Sequence, residues 1–345
     1  MGVAAALERG PATKLSRLRG RLRATLTLRR LALTSIVVNV IIVVTGGAVR
    51  LTQSGLGCPT FPSCGDGSLI PTRRFGVNGV IEFTNRQLTF VVVAVVLATL
   101  IVAVLDHREI RLAVLLAASI PAQALLGGLT VLTHLNPWLV ACHFLLSMAI
   151  IAIAHTLWWR VSERSSESVT HAMRHAALAV TALTVAVLAL GTVVTGSGPH
   201  AGDADSSGKV HRTGLDVGSM SQLHADVVML LIGVTVGFVL LARSAGAPAS
   251  LRRAAAILLG VELAQGLIGF VQYFTHIPAI LVGFHMLGAC LVWLAALRVL
   301  SLTSRTSSVG SSNEDGPIGQ QSMHASQSTP AGAVGRSDAK PPLSV

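Results

Sequence analysis

The sequence predicts an all-α polytopic membrane protein, with eight transmembrane helices and a duplicated pair of intramembrane sites. Three observations carry that reading. Eight apolar runs of roughly 18–22 residues lie at about 31–49, 84–105, 112–132, 139–159, 175–195, 222–242, 253–273 and 279–300, each long enough to span a bilayer as a helix. Charged residues are only 12% of the 345, about half the share usual in soluble chains, while 52% are hydrophobic and mean hydropathy is +0.68. The third observation is an internal duplication. Residues 121–148 read PAQALLGGLTVLTHLNPWLVACHFLLSM and residues 263–290 read LAQGLIGFVQYFTHIPAILVGFHMLGAC. At a constant offset of 142 residues, Gln123 meets Gln265, Gly127 meets Gly269, Thr133 and His134 meet Thr275 and His276, and His143 meets His285.

The elements follow in order. Residues 1–30 carry eight Lys and Arg and no apolar core followed by a small-residue cleavage site, so they read as a cytoplasmic basic tail. An N-terminal four-helix half spans 31–160, a cytoplasmic linker 161–174, and a C-terminal four-helix half 175–300. The Ser/Gly/Pro-rich remainder, 301–345, reads as a disordered cytoplasmic tail. With the amino terminus inside, the segments on that side hold 20 Lys and Arg. The opposite side holds six: Arg50, Arg73, Arg74, Arg86, Lys209 and Arg212. This positive-inside imbalance places both termini in the cytoplasm and the protein in the cell membrane. The net charge of +11 is then a topology and lipid-surface signal. No basic, aromatic-interleaved domain exists outside the spans, so nucleic acid is not an expected partner.

The loop between the first two spans holds Cys58 and Cys64 in GLGCPTFPSCG. Facing an oxidising compartment, the pair can close a short Pro-rich loop as a disulfide or act as a redox-active couple. Its spacing is not C-x-x-C, and zinc would lack two further ligands there. Cys142 and Cys290, within spans, read as packing residues. The second span opens with IEFTNR, which contains Glu82, Asn85 and Arg86. The fourth carries His143, the sixth opens with QLHAD and His224, and the eighth carries His285. At about 1.5 Å per residue, His143 and His285 lie roughly 6–9 Å below the outer boundary, with His224 somewhat shallower. Capping or snorkelling accounts for any one histidine alone, and for His155 near the inner face. Three histidines and a Glu/Asn pair in one layer argue for a site.

Two imidazoles on facing helices suit haem, whose iron takes two axial nitrogens and whose ring fills an apolar gap. Gly127, Gly128, Gly266, Gly269, Gly283 and Gly288 let a flat macrocycle or a neighbouring helix approach. Arg50, Arg86 and Arg212 are the candidate partners for haem propionates. A zinc or copper site is a second reading, with Met286 beside His285 as slight support for copper. A proton or ion transporter is a third, resting on Glu82 and on Glu262 nearer mid-membrane.

The run TGGAVRLTQSGLGCPTFPSC over 45–64, followed by IEFTNR over 81–86 and single histidines on the fourth, sixth and eighth spans, resembles haem A synthase. The resemblance covers about 31–300. It implies two pseudo-symmetric four-helix halves and oxidation of a ring methyl of haem O to the formyl group of haem A, through successive hydroxylations, in maturation of an aa3-type terminal oxidase. It implies haem b as cofactor in the C-terminal half, with His224 and His285 as axial ligands. In the N-terminal half it implies His143 as a ligand to the substrate haem and Glu82 as the catalytic glutamate. Cys58 and Cys64 match an outer-loop pair found in many bacterial members. The implied partners are a haem O synthase and an unidentified redox partner, within the lipid bilayer; a homo-oligomer is compatible with the sequence. The chain departs from the family at Asn85, where a histidine usually stands three residues after the glutamate. Either the substrate iron then keeps His143 and an open face, or another group enters. The rival readings are a membrane b-type cytochrome that only carries electrons, and a haem or metal transporter.

Overall fold

Apolar runs of this length leave the backbone one local way to satisfy its hydrogen bonds in hydrocarbon, and each run folds as a helix. The computed structural model describes residues 27–58, 60–64, 67–68, 76–162, 169–200, 202 and 211–304. Among them are eight helices: α1 (Leu28–Leu51), α2 (Gly76–Leu105), α3 (Ile110–Leu132), α4 (Pro137–Val161), α5 (His171–Ser197), α6 (Val217–Ser244), α7 (Ala249–Phe274) and α8 (Ala279–Leu302). All eight are long and apolar enough to cross a membrane, and the chain is a multi-pass membrane protein. Most of the 1–30 and 301–345 tails, part of the 161–174 linker, and Arg73, Arg74 and Lys209 lie outside the described residues.

Local chemistry sets the helix starts. Thr27 and Thr170 accept hydrogen bonds from the Arg30 and Met173 N–H groups, both at 3.3 Å, and so cap α1 and α5. Asn136 accepts from the Trp138 N–H at 3.0 Å, with Pro137 at the first turn of α4. Asp216 caps α6 by accepting from the Ser219 N–H at 2.7 Å and its hydroxyl at 2.9 Å. These bonds to Ser219 hold its carboxyl below the usual range. Seven of the eight helices start earlier than hydropathy predicts, by the most at α2, at Gly76 rather than 84, and α6, at Val217 rather than 222. Polar residues there interrupt the apolar run but not the backbone helix. Ser54 donates to Asn78 at 3.2 Å, and Gln222 donates to Asp226 at 2.7 Å.

The helices form two four-membered rings. In the first, α1 packs on α2, α2 on α3, α3 on α4, and α4 back on α1; α5 to α8 repeat the pattern. The rings meet through α4 with α5, α1 with α8, and α4 with α8. Exchanging each helix with the one four places along maps every one of these pairings onto another, the signature of a pseudo-two-fold axis. Equivalent turns agree in detail. His134 and Leu135 after α3, and His276 and Ile277 after α7, all adopt φ between 51 and 60°. The Leu135 N–H reaches the Thr130 carbonyl and the Ile277 N–H the Gln272 carbonyl, each at 2.8 Å, closing the helix ends.

Packing is uneven along the rings. The first ring's cluster joins Leu28, Ala32 and Ile36 to Val96, Ala103, Ala113, Leu116, Ala154 and Leu157. The second joins Met173 and Val180 to Phe238, Leu251, Leu258 and Val299. Both lie at the end of the bundle away from the Cys58–Cys64 loop. A third cluster, with Val43, Met148, Ile151, Leu188, Cys290 and Trp293, seals the seam between rings. There Trp293 Nε1 donates to the Met148 carbonyl at 2.8 Å. Each ring is therefore packed by apolar side chains at one end, and Glu82, Asn85 and the three histidines lie toward the other.

Candidate functional site: two histidine-bearing gaps

Helix starts put the polar residues at one depth. Glu82 lies six residues after Gly76, His143 six after Pro137, His224 seven after Val217 and His285 six after Ala279. At about 1.5 Å per residue all four stand about 9–10 Å below their helix starts. His224 is thus level with the other histidines rather than shallower, and Glu82 lies well inside α2 rather than at its opening. The early starts of α2 and α6 account for both corrections.

In the second ring, His224 on α6 and His285 on α8 stand at opposite corners. Each imidazole borders a glycine on the next helix. A Cβ on Gly269 of α7 would sit 3.7 Å from His285 Cε1, and one on Gly191 of α5 would sit 3.4 Å from His224 Cε1. The first ring repeats this frame. A Cβ on Gly127 of α3 would sit 3.1 Å from His143 Cε1 on α4. At the fourth corner, a Cβ on Gly46 of α1 would sit 3.9 Å from Asn85 Nδ2 on α2. Asn85 thus occupies the place that His224 holds in the other ring. Gln123 Nε2 donates to the His143 carbonyl at 3.3 Å and to Ser147 Oγ at 2.6 Å. Its counterpart, Gln265 Nε2, donates to the His285 carbonyl at 2.8 Å.

Several polar atoms around these histidines are buried with no hydrogen-bond partner: Nδ1 of His143 and His285, Oδ1 of Asn85, and Oε1 of Gln123 and Gln265, while the His224 ring lies against the Val187 backbone. An unsatisfied buried polar atom costs about 1–3 kcal/mol. Most of these atoms lie at the corners where an imidazole or Asn85 meets a glycine, a placement that suits a binding site. Among the described residues no three His, Cys, Asp or Glu side chains cluster to hold a metal ion by protein ligands alone. Two corner ligands across a glycine-floored gap fit an iron whose other four positions come from a macrocycle. The residues present therefore fit haem.

Glu82 is 5% exposed and tied to the cysteine loop. Its Oε2 accepts the Cys58 N–H at 2.6 Å, and its Oε1 accepts Arg86 Nη2 at 2.5 Å and Nε at 3.1 Å. Arg86 also donates to the carbonyls of Cys58, Thr60 and Ser63 at 3.1–3.3 Å. Cys58 and Cys64 form a disulfide with both residues buried. The Phe61 ring reaches α3, where a Cβ on Gly128 would meet it at 2.7 Å. The loop thus bridges α2 and α3 at the open end of the first ring. Arg50 donates to the His200 and Thr195 carbonyls at 2.7 and 3.1 Å. Arg212 donates to the carbonyls of Gly198 and Pro199. Two of the three candidate propionate cations therefore hold the α5–α6 connection, and the third holds the cysteine loop.

Other residues depart from expectation. Cys290 is fully buried, but Cys142 is exposed because its side chain turns away from the ring that His143 faces. His155 does not reach the interface; it is 4% exposed, and its ring stacks on Trp159 with centroids 6.3 Å apart. Glu262 is 3% exposed and accepts from Thr235 Oγ1 at 3.0 Å. Sequence reasoning missed Gly46 and Gly191 as partners of the site. The signal was present but at other offsets: 145 residues from Gly46 to Gly191 and 139 from Asn85 to His224.

The family model COX15-CtaA, described as cytochrome oxidase assembly protein, matches residues 29–297. Haem A synthase from Exiguobacterium sibiricum is 33% identical over 132 residues, covering 37% of this chain and 44% of that relative. Haem A synthase from Lysinibacillus sphaericus is 35% identical over 136 residues, with the same shares. The matched stretch spans less than half the length of these relatives.

Proposed function

The chain belongs to the COX15-CtaA family of cytochrome oxidase assembly proteins, and from that premise we propose that it is a haem A synthase, oxidising a ring methyl of haem O to the formyl group of haem A. The observation that carries this reading is the pair of matched gaps, one with two corner histidines and one with a histidine opposite an asparagine. Two identical rings would serve an electron carrier. Two unequal ones suit an enzyme that stores electrons in one site and does chemistry in the other.

In this reading His224 and His285 hold haem b in the C-terminal half, where it would supply one-electron exchange. His143 binds the iron of the substrate haem in the N-terminal half. Arg50, Arg86 and Arg212 lie at the same end of the rings and supply the positive charge that propionates require. Converting the methyl to a formyl group removes four electrons and four protons, counted with water as the source of oxygen. Charge and protons therefore have to be managed beside the substrate ring. Glu82 is the carboxylate for this: it is buried at the histidine depth, and its orientation is fixed by Arg86 and the Cys58 N–H. Held this way it stabilises positive charge developing at the reacting carbon without having to reorganise.

The cysteine-loop end faces outward and both termini face the cytoplasm of the cell membrane, as the positive-inside imbalance requires. A haem O synthase supplies the substrate, and a separate redox partner exchanges electrons with the protein. Haem extraction and chromatography from membranes of a host that makes haem O test the proposal. Haem A should appear only with this protein present. Bound haem with haem O unchanged would favour the electron-carrier reading instead.

A further inference from the structure

The two rings differ most at one corner. His224 and Asn85 occupy the same place, each on the second helix of its ring and each facing a glycine on the first helix. The opposite corners, His285 and His143, are alike down to the glutamine on the preceding helix that holds the backbone carbonyl. The scaffold of an iron site with two axial ligands is therefore intact in the first ring, and one ligand is exchanged for a carboxamide.

A neutral amide is a poor ligand for haem iron, which prefers imidazole nitrogen or sulfur. No other strong ligand stands ready at that corner among the described residues. Cys58 and Cys64 are joined in a disulfide, and Glu82 is bound by Arg86 and the Cys58 N–H. The nearest thioether, Met286, packs against Gly47 at the seam between rings. Asn85 carries an amide whose Oδ1 is buried with no hydrogen-bond partner. Asn85 Nδ2 lies toward Gly46, where a Cβ would stand 3.9 Å away, at ordinary contact.

Resting on the haem A synthase reading, we infer that the first ring holds its haem by His143 alone, and that Asn85 is a positioning residue whose carboxamide hydrogen-bonds a small exogenous ligand on the open face of the iron. Distal polarity and open coordination decide whether a haem site transfers electrons or binds and activates oxygen. By this exchange one duplicated scaffold yields a saturated site, suited to electrons, and an open one, suited to a diatomic ligand. The glycine facing each corner also predicts that a histidine fits at 85 as it does at 224.

Carbon monoxide is the probe. Full-length protein, purified with its haems and reduced with dithionite, is titrated with CO and read by visible absorption and by the C–O stretching frequency. Wild type should bind CO at one of two haems, leaving the other low-spin. Asn85→His should keep the haem content and lose the CO-binding fraction. Asn85→Leu should keep CO binding but shift the C–O stretch, as the amide dipole beside bound CO is lost. Two haems of which neither binds CO, or an unchanged C–O stretch in Asn85→Leu, overturns this inference and leaves the enzyme reading standing. A single haem indifferent to His143→Ala, in protein from a host that makes haem O and forms no haem A from it, overturns the enzyme reading and this inference together.

Discussion

The first and second rings share their helix order, contact pattern, floor glycines and carbonyl-holding glutamines, yet they differ at the site corner and in what closes the open end. The second ring presents His224 and His285; the first presents Asn85 and His143, with Glu82 one turn away from Asn85 and a disulfide loop across α2 and α3. Beneath the sites the difference continues: the second ring buries Glu262 against Thr235, where the first has its Ser35–Thr99 hydroxyl pair between α1 and α2. A duplicated frame is costly to alter because its glycines and helix contacts are set by sterics. A corner side chain or a loop can change without moving any helix.

The largest test of this contrast separates the rings. His285→Ala should remove the haem of the second ring and leave that of the first, and His143→Ala should do the reverse. Haem stoichiometry reads both and low-spin absorption reads the second ring; loss of both haems from either variant would mean that the rings do not bind independently. Next in size, Glu82→Gln should lower haem A output by about 100-fold, the scale of losing one preorganised electrostatic contact. The second ring's spectrum should not change. Output near wild type would remove Glu82 from the chemistry and leave it as an anchor for the loop.

Breaking the loop should be milder. Cys58→Ser should lower stability by about 2 kcal/mol, seen as a lower Tm, with any spectral change confined to the first ring. The smallest contrast lies in the floor glycines. A methyl at Gly127 would press on His143 at 3.1 Å, whereas one at Gly269 meets His285 at an ordinary 3.7 Å. Gly127→Ala should therefore cost about 1–3 kcal/mol or loosen haem in the first ring, and Gly269→Ala should stay within about 0.5 kcal/mol. Equal effects would show that the two glycines bear on their histidines alike.

Much of this was legible beforehand. Eight spans, the shared histidine layer and the α3–α4/α7–α8 duplication follow from hydropathy and spacing, because lipid forces helices and a repeated sequence folds the same way twice. The polar openings of α2 and α6 were not legible. Hydropathy registers a break at Asn78, Glu82 or Gln222, whereas a helix tolerates polar residues once they find partners. The equivalence of Asn85 with His224 was hidden for another reason: connections of different length shift the offset from 142 to 145 and 139, so a constant-offset comparison cannot see it.

Sequence alone determined the membrane class, the number of spans and the residue types able to hold iron, since these depend on composition along the chain. Only the tertiary structure decided which residues share a corner, that Glu82 is bound to the cysteine loop, and that Arg50 and Arg212 hold backbone carbonyls. Those facts depend on the closing of two rings, where residues 20 to 150 positions apart meet. No local pattern encodes which of several distant partners a side chain will reach.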